Sequence, residues 1–331
     1  MARTTMKFVM ILIAVLAVGR AECQQCAYEQ CAYVSNEGSA NVSVIDTASD
    51  KVLYTIKVGE KPAGIVASPD RSRLYLSSRT GVLVEHDLYD EKESARVALG
   101  KSPQAFSLSP DGKTLALAVK DDGVVALVNA ATLAVVKKIP MRGRHPEQTL
   151  FTPDGRWIYA SPEEGDSIDV IDVAKGTVAK SIKVGDRPRG IGFLPDSSRA
   201  YVAIDRADEV VAIDVSRQEV IARVKTAGGP NAVTVHPNGK RVFVSAGRAA
   251  TVQVLDTTSN TIVAEAQVCE RPGNMALTHD GGKLYVACGR DDELSVIDTS
   301  TNKRIARIPV GSLPSGVVIT ETSVPPRAQR W

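Results

Sequence analysis

The sequence predicts an all-β fold, a seven-bladed β-propeller of four-stranded antiparallel blades closed by sharing one blade between the N- and C-termini. Three observations carry that expectation. A short apolar run closes on Asp or Asn seven times, at Asp46, Asp87, Asn129, Asp172, Asp214, Asp256 and Asp298, with spacings of 41, 42, 43, 42, 42 and 42 residues. So constant a period means one supersecondary unit copied end to end. Each unit holds four strand-like runs between turn signals, and strands of roughly 5 to 6 residues with short turns fill about 42 residues as a propeller blade does. Finally, the first repeated feature, near Cys31 to Ser35, is the second strand of a unit, whereas the chain finishes on the first strand of one, Gly316 to Ile319. Pairing these two runs removes the open edge that would invite aggregation.

Taken in order, the innermost run of each unit follows a Gly-x-x-Pro step, as at Gly59 to Pro62, Gly100 to Pro103, Gly185 to Pro188 and Gly311 to Pro314. It is rich in small and apolar residues and ends at a turn such as Pro69-Asp70-Arg71, Pro110-Asp111-Gly112 or Pro237-Asn238-Gly239. Pro at the second turn position and Gly after Asp or Asn supply the backbone angles of a tight reversal. The second run is aromatic and β-branched, which favours strand: Tyr33 to Asn36, Tyr75 to Ser78, Tyr201 to Ile204, Phe243 to Ala246 and Tyr285 to Cys288. The third run leads into the Asp. After a polar turn such as Thr299-Ser300-Thr301-Asn302, the fourth alternates, as in Val52 to Ile56, with the period of a half-buried strand. The third repeat lacks the tyrosine (Leu115-Ala116-Leu117-Ala118) and the sixth turn reads His279-Asp280-Gly281-Gly282. Neither departure alters the strand or turn chemistry.

Arg3 and Lys7 precede an apolar run, Phe8 to Val18, that ends at Gly19-Arg20-Ala21. This is the pattern of a secretory signal, and eleven apolar residues fall short of the roughly 20 that a spanning helix needs. Residues 1–21 therefore read as a signal peptide, 22–30 as a Cys-containing N-terminal segment, 31–321 as the propeller and 322–331 as a tail. The expected location is periplasmic or secreted, with no membrane span. Glu22 stands where a lipoprotein signal wants a small residue, so lipidation at Cys23 is not expected. The 40 Lys and Arg against 38 Asp and Glu make no general field for nucleic acid.

The tyrosine-valine-small-Asn strand, the valine-rich run into Asp, the Gly-x-x-Pro step and the Pro-Asp-Gly turn together resemble the YVTN family of β-propeller repeats, over the whole mature chain. More narrowly, Ala32 to Glu37, His145-Pro146-Glu147 and Val310-Gly311 to Val318 resemble exported seven-repeat propellers associated with pyrroloquinoline-quinone-dependent catabolism. That resemblance implies residence beside quinoprotein dehydrogenases and c-type cytochromes, either of which would be a protein partner, and implies no reaction of the propeller itself.

Loops leading into the innermost strands converge on one mouth of the central channel, where ligands usually meet a rigid scaffold. The residues after each Gly-x-x-Pro step then ring that mouth: Ala63, Gln104, Glu147, Arg189, Asn231, Gly273 with Asn274, and Ser315. Glu147 and Arg189 fall on consecutive blades and read either as a surface ion pair or as an oriented carboxylate and guanidinium awaiting a ligand. The irregular junction Met141 to Glu147 adds His145, the one His on this face, which reads as a solvated loop residue, a single axial ligand or a general base; one His is too few for a three-ligand zinc site. His236 and His279 fall on the opposite face and His86 on a third strand. Acidic loops between second and third strands, Asp121-Asp122, Glu163-Glu164 with Asp166, Asp208-Glu209 and Asp291 to Glu293, could collect calcium, but lie on different blades and read as a solvated rim. No cofactor is predicted, and calcium and haem are left as possibilities that the sequence does not support.

Cys269 and Cys288 each replace a repeat residue and the blade plan puts them on one face, so in an oxidising compartment they are expected to pair. Cys23, Cys26 and Cys31 crowd the start of the mature chain, where spacing chooses no pairing; Cys23-Gln24-Gln25-Cys26 lacks the His of c-type haem attachment. The functional expectation is an exported, non-catalytic propeller that binds a protein partner or small ligand at the candidate loop-face residues His145, Glu147, Arg189, Gln104, Asn231 and Asn274. The alternatives are a propeller enzyme, lactonase- or lyase-like or holding a modified haem, that uses His145, Glu147 and Arg189, and a cell-surface structural protein.

Overall fold

Tight turns and alternating runs fold the repeat into hairpins, and the hairpins assemble as seven four-stranded antiparallel sheets. The structure is a computed structural model that describes residues 30–59 and 61–321. The expected signal peptide, the Cys-containing segment apart from Gln30, and the tail lie outside the described residues.

Blade 1 joins the innermost strand Pro314–Glu321 to Gln30–Asn36, Asn41–Asp46 and Lys51–Lys57. Ala32 pairs with Ile319, Tyr33 with Val318 and Val34 with Val317, so the chain ends share one sheet. Blades 2 to 7 are contiguous in sequence at residues 62–98, 103–140, 144–183, 188–225, 230–267 and 272–309. Their innermost strands begin at Pro62, Pro103, Arg144, Pro188, Pro230 and Pro272, and the ring is complete because Pro272–Leu277 packs against Pro314–Glu321, which packs against Pro62–Ala67.

The outermost strand alternates exposed positions with half-buried or buried ones, as in Lys303–Pro309, while the two middle strands are buried on both faces, as in Lys283–Cys288. The middle strands therefore feed seven apolar layers, one between each pair of neighbouring blades. A fully buried Val, Leu, Ile or Phe in such a layer stabilises by about 1.5–3 kcal/mol.

The recurrent Asp closes the outer hairpin. Asp256 Oδ1 accepts the amides of Thr258 at 3.0 Å and Ser259 at 2.8 Å, and Asn260, four residues on, takes a left-handed φ of 52°. The recurrent tyrosine reaches the next blade: the Tyr75 hydroxyl donates to Ala130 O at 2.9 Å and that of Tyr201 to Asn260 Oδ1 at 3.1 Å. Tyr285 does the same with Asp50 across the junction of blades 7 and 1. The aromatic is thus both a strand former and a clasp between blades.

Candidate functional site

Each turn into an innermost strand needs backbone angles that most residues avoid. Ser102, His145, Arg187, Arg271 and Leu313 all have φ between 51° and 62°, and each directly precedes a proline, which itself disfavours helical backbone at the preceding residue. Non-glycine residues held left-handed cost on the order of 1–3 kcal/mol each and persist where their surroundings over-determine them. Here carboxylates supply part of that constraint. Asp122 accepts the amide of Lys101 at 3.2 Å, Asp208 that of Gly229 at 2.8 Å, Asp291 that of Glu270 at 2.9 Å and Asp292 that of Leu313 at 2.8 Å. The acidic loops read from sequence as a solvated rim therefore also anchor the turns that shape the mouth. Among the described residues no group of three or more His, Cys, Asp or Glu is arranged to hold a metal ion.

The ring expected at the channel mouth is assembled. Ala63, Gln104, Glu147, Arg189, Asn231, Gly273, Asn274 and Ser315 line a throat of about 260 Å³. It adjoins a wider funnel of about 1060 Å³, to which Arg79, Arg187, Arg189, Arg248, Arg271 and Arg290 contribute guanidinium groups and Glu37, Asp205 and Glu270 carboxylates. Gln104 is 8% exposed and its amide donates to the carbonyl and hydroxyl of Ser102 at 3.1 and 2.9 Å. Asn274 donates to Ser315 O at 2.8 Å. The Asn231 carboxamide, which lines both cavities, has no hydrogen bond among the described residues.

Glu147 and Arg189 meet at 2.6 Å, with side chains 17% and 20% exposed. They belong to a larger network over blades 3 to 6. Lys120 contacts Glu147 at 3.2 Å and also pairs with Glu163. Arg187 bridges Glu163 at 2.9 Å and Asp205 at 3.2 Å, and Arg248 pairs with Asp205 at 2.9 Å and Asp208 at 2.5 Å. Partial burial acts to raise the Glu163 pKa, but hydrogen bonding to Lys120 and Arg187 and the charges of Lys120 and Arg189 outweigh it and bring it down to about 2. Lys120 loses some affinity for its proton through burial and regains more from Glu163 and Glu147, so its pKa is raised.

His145 is not part of the ring: its Nδ1 lies 3.3 Å from Glu164 Oε1 on the rim, and neither cavity is lined by a histidine. The described residues of the mouth therefore do not offer a haem an axial imidazole. Sequence reasoning missed Arg79, Arg248, Arg271 and Arg290. The first, second and fourth follow the second-strand aromatic by four or five residues, the same stretch that yields the acidic loops in other repeats, so a charge-by-repeat alignment would have found them.

Cys269 and Cys288 form a disulfide with Cα atoms 5.9 Å apart. It ties the turn carrying Arg271 to the loop carrying Arg290. Cys31 is also disulfide-bonded; Cys23 and Cys26 lie outside the described residues.

Fold and mouth together define a seven-bladed β-propeller with a charged funnel at the loop face. The model of YNCE-like β-propellers matches residues 79–258, and the chain belongs to that family. It is 28% identical over 151 residues to the uncharacterised protein YwhL of Bacillus subtilis (strain 168), a match that takes in 45% of this chain and 32% of that one. The chain thus spans about a third of that relative. Among solved structures, a functionally unknown protein of Desulfotomaculum acetoxidans DSM 771 superposes with a TM-score of 0.78 at 18% identity, over 88% of this chain and 98% of that one. Kuenenia stuttgartiensis hydrazine synthase gives 0.71 at 20% identity, over 80% and 96% of the two chains. The dihydro-haem d1 dehydrogenase NirN in complex with DHE gives 0.65 at 17% identity, over 87% and 74%. At these identities the likeness is one of fold.

Proposed function

We propose that this chain is an exported propeller that works by binding, seating a protein partner or small ligand at the mouth of its channel in periplasmic quinoprotein-linked oxidation. One observation carries the reading: polar side chains from all seven blades converge on a throat and funnel, and Arg271 and Asn231 enter both with their polar groups uncommitted among the described residues. The signal-like N-terminus supports export, and the narrower resemblance carried by Ala32 to Glu37, His145-Pro146-Glu147 and Val310 to Val318 supports the quinoprotein setting. The enzymatic alternative relies on His145, Glu147 and Arg189 acting together. Glu147 is clasped by Lys120 and Arg189 while His145 faces Glu164, an arrangement that favours a positioned binding surface over a free general base.

The test is capture from periplasmic extract by the immobilised chain, compared with a plugged throat, Asn231→Trp, and a substitution in an opposite-face turn, Lys240→Trp. Capture that survives Lys240→Trp and fails with Asn231→Trp is the expected result. Equal recovery by both variants would place the partner elsewhere.

A further inference from the structure

The charge around the mouth is unevenly committed. On blades 3 to 6, Lys120, Arg187, Arg189 and Arg248 are matched by Glu147, Glu163, Asp205 and Asp208 in contacts of 3.2 Å or less. On the side of blades 7, 1 and 2 the match is poorer. Arg79 meets Glu37 at 3.2 Å with its own side chain half exposed, so water competes for that contact more than for the partly buried network on the other side. Arg290 and Glu270 are 3.8 Å apart with both side chains more than half exposed, a geometry worth little in water. Arg271 has no ion pair or hydrogen bond among the described residues.

The junction between funnel and throat sharpens the asymmetry. Among the described residues, the charged ones that line both cavities are Arg79, Arg189 and Arg271, and no carboxylate lines both. Asn231 and Ser315 share that position, adding neutral hydrogen-bonding groups beside the guanidiniums. Arg271 is held left-handed at φ 51° before Pro272, on a turn pinned by the Cys269–Cys288 disulfide and by the Glu270 amide bonded to Asp291. A costly backbone conformation, doubly fastened, thus presents a cation that satisfies nothing within the described chain.

We propose that this junction is a binding site for a small multivalent oxyanion, a molecule carrying two or more carboxylate or phosphate groups, with Arg271 and Arg79 as its principal donors and Asn231 alongside. Guanidinium forks match both kinds of oxyanion with paired hydrogen bonds. A funnel and throat of about 1060 and 260 Å³ are of the size that encloses a small molecule. A monovalent anion would engage one arginine and leave the other as it stands, so multivalency is the feature selected. The inference rests on the mouth being the binding face and adds the chemical class of what it holds.

Calorimetric titration of the full chain at low ionic strength with citrate and with pyrophosphate tests it. Saturable binding of one molecule per chain is expected for at least one probe; citrate alone would assign carboxylates and pyrophosphate alone phosphates. Arg271→Ala and Arg79→Ala should each weaken that binding roughly ten- to hundredfold, the range set by losing a charge-assisted hydrogen bond. Arg271→Lys should lose less, and Arg96→Ala on the outermost strand of blade 2 should change nothing. Because the Arg271 side chain makes no hydrogen bond or ion pair among the described residues, its variants should melt with the wild type. Absence of saturation with both probes, or equal weakening by Arg96→Ala and Arg271→Ala, would overturn the proposal. A chain that takes up neither probe yet captures a partner through the throat would remove the oxyanion and leave the binding reading intact.

Discussion

Arg189 of blade 5 donates to Glu147 of blade 4 at 2.6 Å, and through Lys120 and Glu163 that contact extends round the mouth as a chain of alternating charges. The pair fixes the relative position of two innermost strands at the point where the channel opens. An isolated exposed pair would contribute about 0–1 kcal/mol; partial burial and shared partners make this network worth more.

The network should be sensitive to acid. Glu163 has its pKa lowered from 4.5 to about 2, so its contribution is present in full above pH 4.5 and is lost as the pH falls toward 2. A shift of this size corresponds to about 3 kcal/mol, which solvent screening of a partly exposed network reduces to the order of 2 kcal/mol. Denaturant melts of the wild type from pH 6 to pH 2 should lose at least that amount, and Glu163→Gln should remove that share of the slope, leaving the part owed to other stabilised carboxylates such as Asp298. An unchanged slope in the variant would assign the acid sensitivity elsewhere.

His86 should act in a higher pH range. It is 1% exposed, and among the described residues neither ring nitrogen has a hydrogen-bond partner. Val84, two residues earlier on the same strand face, belongs to the apolar layer between blades 1 and 2. Burial lowers the His86 pKa below 6.5, against the opposing pull of Asp87, Glu91 and Glu93. The unfolded chain therefore binds its proton first, and stability held above pH 6.5 is lost as the pH falls from 6.5 to the lower folded value. His86→Leu should flatten the melting temperature between pH 7 and pH 5. A wild type with no slope there would contradict the assignment.

Loss of the Cys269–Cys288 disulfide should cost about 3 kcal/mol for a loop of this length on the chain-entropy model. The double substitution Cys269→Ser, Cys288→Ser, compared by denaturant unfolding, measures it. Peptide mapping without reductant should recover residues 269 and 288 in one linked species, and finding both thiols free would reject the bond.

Deleting residues 312–331 removes the strand Pro314–Glu321 that pairs with Gln30–Asn36. Blade 1 would keep three strands and expose an unpaired edge beside the channel. The truncated chain should aggregate in size-exclusion chromatography, and a monomer melting like the full chain would show that closure contributes little.

The fold was legible because the repeat is written in residues with local mechanisms: the Asp that accepts turn amides, the Pro-Asp-Gly reversal and the Gly-x-x-Pro step. Closure followed from which strand comes first and last, and the Cys269–Cys288 pair from two departures on one face. The tyrosine was read as a strand former, and its hydroxyl contact to the next blade was invisible because the partners, Tyr201 and Asn260 among them, lie 59 residues apart. The mouth was legible where the repeat marks it, as at Glu147 and Arg189. Arg79 and Arg290 were missed because the stretch after the second strand is acidic in other repeats, so it was read for its carboxylates and not for the cations that replace them here. His145 was placed on the correct loop, but a left-handed backbone before Pro146 goes with a side chain directed to Glu164, which no sequence pattern announces.

The central claim is that the loop face at the channel mouth is where this propeller binds. Amide hydrogen exchange of the full chain with and without its captured ligand tests it most directly. Protection gathered at residues 101–105, 143–148, 186–190, 228–232, 270–275 and 312–316 is the predicted footprint; protection confined to the opposite-face turns at 68–72, 109–113, 152–156 and 236–240 would contradict it.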